Sequence, residues 1–286
     1  MSLKLNTPGN SKDDAEMNFL DHLEELRWHI IRSIAWILFF AIGAFVAKDF
    51  VFGTLIFGPK NNDFLSYQLL CKFSKAIGAG ESMCIVPPKF NLQAVEFGEL
   101  FTTHLKASFF VGLAAAFPFI LWEFWKFIKP GLYDNEQKAA RGFVFVCSAL
   151  FLIGACFGYF VISPFAVTFL AGYEIEGAIA QPSLTSFVNY MVMFTIPVGL
   201  VFELPILVYF LSKIGIVTPD FMRTYRRHAA VLILISAAII TPPDVITQFL
   251  VGIPLFILYE ISIYISAMVV KRQKQEFDNS QALQKT

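Results

Sequence analysis

The chain has 286 residues, of which 56% are hydrophobic, and its 22 basic and 22 acidic side chains cancel to a formal net charge of zero. With a mean hydropathy of +0.62 and 33 phenylalanines, this composition is typical of a polytopic membrane protein and excludes an ordinary soluble domain. A balanced charge gives no argument for binding nucleic acid, so no nucleic-acid partner is predicted.

The first residues of the chain, 1–18, are predicted to be a polar tail. The segment Met1–Glu16 lacks the basic region, the short apolar run and the small-residue cleavage site of a secretory signal. We therefore expect no cleaved signal peptide.

An acidic segment, Phe19–Arg27 (Phe-Leu-Asp-His-Leu-Glu-Glu-Leu-Arg), stands directly before the first long apolar run. It carries three carboxylates, Asp21, Glu24 and Glu25. Because a charged side chain at the centre of a bilayer costs roughly 3 kcal/mol or more, these acids mark the membrane boundary. An acidic pair held there is well placed to meet a cationic ligand at the membrane surface.

Six apolar segments predict an all-α membrane protein with six transmembrane helices, since a spanning helix needs about 20 largely apolar residues. The fifth segment has 14 residues, about 21 Å of helix, and is followed by a Thr-Pro-Pro-Asp turn that a continuous helix cannot cross. Spans five and six are therefore predicted to form a short helical hairpin. The predicted spans cover 28–48, 104–128, 142–165, 188–212, 228–241 and 245–268.

The distribution of basic residues predicts the orientation. Sixteen of the 22 lysines and arginines fall in the N-terminal segment, the second-to-third and fourth-to-fifth connections and the C-terminal tail, whereas 166–187 and 242–244 have none. The positive-inside rule then puts both termini in the cytoplasm. We expect a multi-pass protein of a bacterial cytoplasmic (inner) membrane, with a membrane domain at 19–270, a long outer loop at about 49–103 and a cytoplasmic tail at 271–286.

Two of the four cysteines, Cys71 and Cys84, lie in the outer loop. A disulfide between them is the favoured interpretation, because that side of the membrane is oxidising and the number of cysteines is even. Two unpaired thiols are the alternative. Cys147 and Cys156 lie in span three, where cysteine usually behaves as a small hydrophobic residue.

The sequence contains no phosphate-binding loop, no paired histidines at metal spacing and no dinucleotide fingerprint. No catalytic residue, cofactor or metal site is predicted. An intramembrane serine protease would also have six spans, but it needs a histidine deep in a later span. The only candidate, His228, opens span five at the interface, so Ser236 and Ser262 lack a nearby base and hydrolysis is disfavoured.

One acid, Glu203, lies near the middle of span four in the sequence Phe-Glu-Leu-Pro. A carboxyl there is costly unless it is protonated, paired or facing a polar cavity, which favours a functional role over packing alone. Pro197 and Pro205 each remove a backbone donor and loosen the helix. A proton-coupled small-molecule carrier with Glu203 as the titrating group is an alternative function, but it predicts an internal repeat that the sequence does not show.

Two other charged residues lie inside predicted spans. Glu260 is nearer the cytoplasmic end of span six, where a snorkelling and a structural role are equally compatible with its position. Lys106, near the outer end of span two, is predicted to snorkel.

The connection between spans two and three combines a helix break with an acidic start of the next helix. Pro130-Gly131 ends one helix, and Glu136 falls in the first turn of the next, where the helix dipole favours an acid. From spacing alone, this predicts a capped hairpin with a solvated Glu136.

Four segments, in this order, resemble the TatC family of the twin-arginine protein translocase. The resemblance covers about 17–270. It implies a non-enzymatic receptor subunit that binds signal peptides with two consecutive arginines and exports folded proteins by using the proton gradient. The segments are His-Leu-Glu-Glu-Leu-Arg at 22–27, Phe-Ile-Lys-Pro-Gly-Leu-Tyr at 127–133 followed by Glu136, Phe-Glu-Leu-Pro at 202–205, and Thr-Pro-Pro-Asp-Val-Ile-Thr-Gln at 241–248.

The resemblance also implies roles for individual residues and partners. Glu203 matches a polar position linked to contact with the single-span partners TatA and TatB, and Asp244 and Gln248 match the outer turn of the hairpin. Self-association and contact with membrane lipid are expected as well. The residues implied for signal-peptide binding are Glu25, Glu136, Arg27, Phe127, Leu132 and Tyr133.

One departure from the family pattern follows Arg27. The family often continues with further basic residues, whereas this chain continues with Trp28-His29. We therefore expect the surface near Glu25 to be less cationic than is usual in the family.

Overall fold

The computed structural model describes residues 11–76, 78, 80, 84, 87–88, 90–128, 140–173, 176, 181–241 and 245–284, with the backbone alone for 11–22 and for parts of the last helix. Every regular element in this part of the chain is a helix, and its only β-type pairing is a single bridge between Gln93 and Ser183. The predicted all-α class is confirmed.

Ten helices organise the described residues. Three short helical turns, Lys48–Phe50, Val51–Ile56 and Gly58–Lys60, lead from the first helix to the second, and a π-helical segment, Gly158–Ile162, joins the fourth to the fifth. The helices are α1 (Ser11–Val46), α2 (Leu65–Ala76), α3 (Glu99–Ile128), α4 (Ala140–Phe157), α5 (Ser163–Gly172), α6 (Leu184–Val201), α7 (Leu204–Lys213), α8 (Pro219–Thr224), α9 (Arg226–Ile240) and α10 (Val245–Gln284).

Five helical stretches of the described chain are long and apolar enough to cross a membrane, and they match predicted spans one to four and six. The predicted fifth span is α9, whose 15 residues give about 22 Å of helix against the roughly 30 Å of a bilayer's hydrocarbon core. The six-helix fold with a short fifth member is confirmed. The five long stretches are Leu23–Val46, Glu99–Phe127, Gly142–Gly172, Leu184–Lys213 and Val245–Gln275.

The third span is longer than predicted. The sequence placed its end at 165, but the helical path continues to Gly172. The π-helical segment carries the helix on to Ser163-Pro164. Pro164 has no N–H for the Phe160 carbonyl four residues before it, and the Ser66 hydroxyl donates to that carbonyl. The proline therefore continues the span instead of ending it.

The core lies between the third, fourth and sixth spans, and α1 packs along α3 at the edge of the bundle. Many large apolar side chains of α1 stay exposed, and the most exposed are Phe39 (65%), Ile42 (64%) and Val46 (79%). Lipid tails are as apolar as these side chains, so a membrane covers them without a protein partner. The core includes the buried residues Ile162, Ala166, Val188, Phe194, Val198, Val251 and Leu255.

Glycines allow two pairs of spans to approach closely. A Cβ at Gly112 of α3 would lie 2.5 Å from the backbone nitrogen of Ala41 in α1. A Cβ at Gly158 would collide with the backbone carbonyl of Phe194 in α6. Small residues at such crossings let the backbones pack together, which is the main source of helix association in a bilayer.

The connection between the first two spans is tied to the start of α6. The buried Glu99 carboxylate accepts hydrogen bonds from the backbone N–H groups of Thr185 (3.0 Å), Val95 (2.5 Å) and Glu96 (3.2 Å). The backbone of Gln93 pairs with the segment just before α6, where the Leu184 N–H donates to the Gln93 carbonyl at 2.8 Å. These bonds hold the connection against the membrane domain.

The cysteine-bearing part of this connection is cross-linked. A disulfide joins Cys71 of α2 to Cys84, with 4.4 Å between their Cα atoms. Nearby, the Tyr67 hydroxyl donates to the Pro59 carbonyl at 2.8 Å, and its burial raises the pKa of that hydroxyl. The helix α2 is thus held both covalently and by a buried hydrogen bond.

We expect the substitution Gly158→Ala to lower the apparent melting temperature, because its methyl group would displace the backbone of Phe194 at a cost of about 1–3 kcal/mol. Gly43→Ala is the matched control, since nothing lies within 4 Å of a Cβ there and alanine favours a helix by roughly 0.5–1 kcal/mol. Thermal unfolding of both variants in detergent measures the effect. Equal shifts in both would contradict the close crossing at Gly158.

Candidate functional site

A groove of about 350 Å³ lies at the N-terminal end of the first span. The described residues of its lining all belong to α1, and the spacing of three and four residues between them puts them on one face of the helix. The lining residues are Glu24, Glu25, Trp28, His29 and Arg32. The predicted Glu25 is therefore exposed on a surface that also presents an aromatic ring and two basic side chains.

A carboxylate of α3, Glu123, stands beside this groove, and its side chain is only 5% exposed. One oxygen, Oε2, lies 2.8 Å from Nδ1 of His29 and 3.8 Å from a guanidinium nitrogen of Arg32. The other, Oε1, accepts a hydrogen bond from the Lys126 ammonium at 2.7 Å. An ionised carboxylate only accepts, so the His29 nitrogen carries the proton of their bond.

These contacts pair the basic side chains of the groove with Glu123. A buried carboxylate needs partners, and Glu123 takes them from both α1 and α3. His29 and Arg32 therefore face an acid of the same protein, whereas no hydrogen bond or ion pair joins Glu25 to another described residue. The departure at Trp28-His29 thus gives the groove a histidine that pairs with Glu123.

Sequence reasoning missed Glu123. The available signal was a single acid inside the last apolar turns of span two, followed by Lys126 at the i+3 position, where opposite charges meet on a helix. Its partner His29 is 94 residues away along the chain, so only the packing of α1 on α3 reveals the pair.

The other residues implied for signal-peptide binding are distributed unevenly. The Phe127 ring meets His29 edge-on, with 6.1 Å between ring centroids, so it lies beside the groove. Arg27 is exposed but lies about 200° around the helix from Glu25, so it is not brought to the groove. Glu136, Leu132 and Tyr133 fall outside the described residues, and their roles remain predictions.

The fourth span, predicted as one helix over 188–212 that Pro197 and Pro205 loosen, is interrupted by a turn at Phe202-Glu203, while Pro197 lies inside α6. Helix α6 ends at Val201 and α7 begins at Leu204, with Pro205 in the first turn of α7. The half-buried Glu203 carboxyl contacts the Cys147 thiol and the backbone of Phe151. Its Oε1 is buried without a hydrogen-bond partner among the described residues.

The short hairpin is closed by a side chain of the implied outer turn. Gln248 Nε2 donates to the backbone carbonyl of Leu234 in α9 at 3.2 Å. Asp244 lies outside the described residues, so its role remains a prediction. At the other end of the hairpin, Glu260 forms an ion pair with Arg226 at 2.7 Å. Of the two roles compatible with its position in the sequence, this contact fits the structural one.

Two kinds of catalytic site can be compared with the described part of the chain, a metal site and a serine–histidine pair. No three histidine, cysteine or acidic side chains there could hold a metal together. The His228 ring lies against Tyr225, with 5.5 Å between centroids, and the Ser262 hydroxyl donates to the Leu258 carbonyl. No serine–histidine pair of the protease alternative is seen among these residues.

A bundle of apolar helices, with polar residues at the ends of its spans and one acid at a break inside it, defines a multi-pass membrane protein. Residues 21–254 match the family model of the Sec-independent protein translocase protein (TatC). The chain belongs to this family, which is one of transport subunits.

Curated relatives agree with this assignment. The TatC protein of Blattabacterium sp. subsp. Periplaneta americana is 35% identical over 260 residues, which are 90% of this chain and 98% of that one. The TatC protein of Helicobacter pylori (strain 26695) is 35% identical over 258 residues, 90% of each chain.

Solved structures show the same fold. A crystal structure of the twin arginine translocase receptor TatC is 32% identical, with a TM-score of 0.64 over 87% of this chain and 99% of that chain. A second crystal structure of TatC, in DDM, gives a TM-score of 0.67 at 32% identity, over 86% of this chain and 99% of that chain.

A pair of double-mutant cycles tests the contacts of Glu123. We expect the cycle of His29→Gln with Glu123→Gln to give a coupling energy of at least about 1 kcal/mol, because both groups are largely buried and bonded at 2.8 Å. The cycle of Arg32→Gln with Glu123→Gln is the matched control. It should give less than about 0.5 kcal/mol, since Arg32 is 56% exposed and 3.8 Å away. Unfolding of the purified variants measures both, and a larger coupling to Arg32 would contradict the proposed geometry.

Proposed function

We propose that this protein is the receptor subunit of a twin-arginine translocase. In this role it binds signal peptides that carry two consecutive arginines and takes part in exporting folded proteins across a bacterial inner membrane. The observation that carries the proposal is the exposed Glu25 carboxylate, which has no ion pair with a described residue, on a groove whose own cations face Glu123. Membership of the TatC family supports it.

The chemistry of the groove suits a guanidinium group. The planar fork of an arginine matches the two oxygens of a carboxylate, so Glu25 can hold one arginine in a bidentate pair. The exposed ring of Trp28 lies one turn along the same face, where it can stack on a guanidinium. The second arginine needs a second acid, and we assign Glu136 to it, with Phe127, Leu132 and Tyr133 as apolar neighbours.

The distribution of basic residues supports an orientation with both termini in the cytoplasm, which is where a signal peptide would arrive. Since the sequence has no nucleotide-binding motif, the energy for export must come from elsewhere, and we propose the transmembrane proton gradient. We propose the same division of the chain as the sequence indicates. A cytoplasmic tail at 1–18 comes before a membrane domain at 19–270, and a second cytoplasmic tail follows at 271–286.

The proposed site is tested by removing one acid at a time. We expect Glu25→Ala and Glu136→Ala each to lower export of a twin-arginine substrate at least tenfold, because each change leaves one arginine without a carboxylate. Glu24→Ala is the matched control, since it removes the neighbouring exposed acid of the same groove, and it should leave export nearly unchanged. Export is measured by the appearance of mature substrate outside the cytoplasm, with the amount of each variant in the membrane as a check.

Crosslinking shows whether the loss of export is a loss of binding. A photoreactive residue in place of Glu24, which leaves the Glu25 carboxylate intact on the same groove, should label a signal peptide with Arg-Arg and should label its Lys-Lys form far less, because ammonium groups lack the fork. Normal export in the Glu25→Ala/Glu136→Ala double variant, or equal labelling of the two peptides, would refute the site.

We further propose that the face around Glu203 contacts single-span partners of the TatA and TatB type. A half-buried carboxyl beside an interruption of its helix supplies a hydrogen-bond acceptor for an arriving helix. The neighbours one turn away, Leu200 and Leu207, are 51% and 53% exposed, so they leave this face open to the membrane.

Crosslinkers placed at Leu200 and at Leu207 should join the protein to a single-span subunit. We expect Glu203→Ala to reduce this crosslinking severalfold, because the acceptor is lost, and Glu203→Gln to preserve part of it. A crosslinker at Ile153, which is 58% exposed on α4, is the control. Equal crosslinking from Ile153 and from Leu200 would show that the contact is not specific to the Glu203 face.

A further inference from the structure

An apolar groove lies between α1 and α3, at the end of the bundle opposite the Glu25 groove. Its volume is about 690 Å³, within the range of sites that hold small molecules, and its lining is almost entirely apolar. The two helices pack closely where Gly112 meets Ala41. The groove is the space that remains between them on the side that faces the membrane. The lining residues are Leu38, Ala41, Ile42, Phe45, Thr102, Leu105, Lys106, Ser108, Phe109 and Phe110.

A single cation, Lys106, stands on the wall of this groove, seven residues and about 10 Å from the start of α3. Its ammonium donates to the side-chain carbonyl of Asn189 at 3.0 Å. That partner is neutral, and no carboxylate of the described residues pairs with Lys106. An ammonium has three donors, so two remain for another acceptor, and its positive charge is not compensated by a described residue.

A second polar group of the lining lacks a partner. The Ser108 hydroxyl is buried, with 1% of the residue exposed, and it has no hydrogen-bond partner among the described residues. Ser108 lies about 200° around α3 from Lys106, and its buried hydroxyl does not open onto the groove. The apolar walls formed by Leu38, Phe109 and Phe110 follow at greater depth.

We propose that this groove binds one anionic phospholipid. The order of groups along it matches the order along such a lipid, with a cation near the end of the span for the phosphate and apolar walls at greater depth for an acyl chain. The uncompensated charge of Lys106 selects an anionic headgroup over a zwitterionic one, as in other basic sites between transmembrane helices. A protein helix in the same place would have to bring its own acid to the depth of Lys106, which is costly.

The test uses the full chain in detergent and counts retained lipids by native mass spectrometry. Phosphatidylglycerol and phosphatidylcholine with identical acyl chains are offered at equal concentrations. We expect one phosphatidylglycerol to be retained about tenfold more than phosphatidylcholine. Lys106→Gln should abolish this preference, and Lys106→Arg, which keeps the charge, should preserve it.

Two further variants separate the site from the general membrane surface. Lys48→Gln removes an exposed cation that does not line the groove, so it should keep the preference. Ile42→Trp places a large ring in the groove from an exposed position, so it should reduce retention of both lipids. Melting temperatures of the lipid-free variants confirm that each is folded.

Three results would overturn the proposal. The first is equal retention of the two lipids, or an unchanged preference in Lys106→Gln. The second is displacement of the lipid by soluble glycerol phosphate, which would mean that the acyl chain contributes nothing. The third is labelling of a second copy of the chain, instead of lipid, from a photoreactive residue at position 42 in liposomes that contain phosphatidylglycerol.

Discussion

The cost of an uncompensated charge away from water constrains this fold more than any other physical term. Its apolar helices associate without help from the hydrophobic effect, because lipid covers them equally well. The polar contacts between spans therefore mark defined positions: Glu123 binds α3 to α1 through His29, and Glu99 binds the start of α3 to the start of α6. Each is an acid that a bilayer would reject, and each is compensated by a group from another helix.

Close backbone contacts act together with these polar pairs. Gly112 and Gly158 allow crossings at which larger residues would force the spans apart. The hydroxyls of Ser212 and Ser266 meet at 2.8 Å between α7 and α10, where both residues are fully buried. Tight packing and internal hydrogen bonds thus supply the association that lipid does not, and they fix which faces of the spans remain open to the membrane.

The sequence predicted the features that depend on local composition, and missed those that depend on distant contacts. Apolar length identified the six helices, of which the fifth is short, and Pro197 and Pro205 indicated a loosened helix around Glu203. Helix ends were less accurate, because the helical path of the third span continues through Pro164 to Gly172. The pair of His29 with Glu123 was not predictable, since it joins residues 94 positions apart whose neighbours are ordinary apolar residues.

The pair of His29 with Glu123 explains how a groove with Trp28-His29 after Arg27 differs from the usual family pattern. A receptor for two arginines would repel them if the basic residues of its own groove were unpaired, because exposed charges act over about 8–10 Å at moderate ionic strength. The Glu123 carboxylate contacts both His29 and Arg32, so its negative charge compensates their positive charge. A groove with Trp28-His29 then presents an acid and an aromatic ring to an incoming guanidinium. The departure from the family pattern is therefore compatible with binding, provided that Glu123 keeps its place in α3.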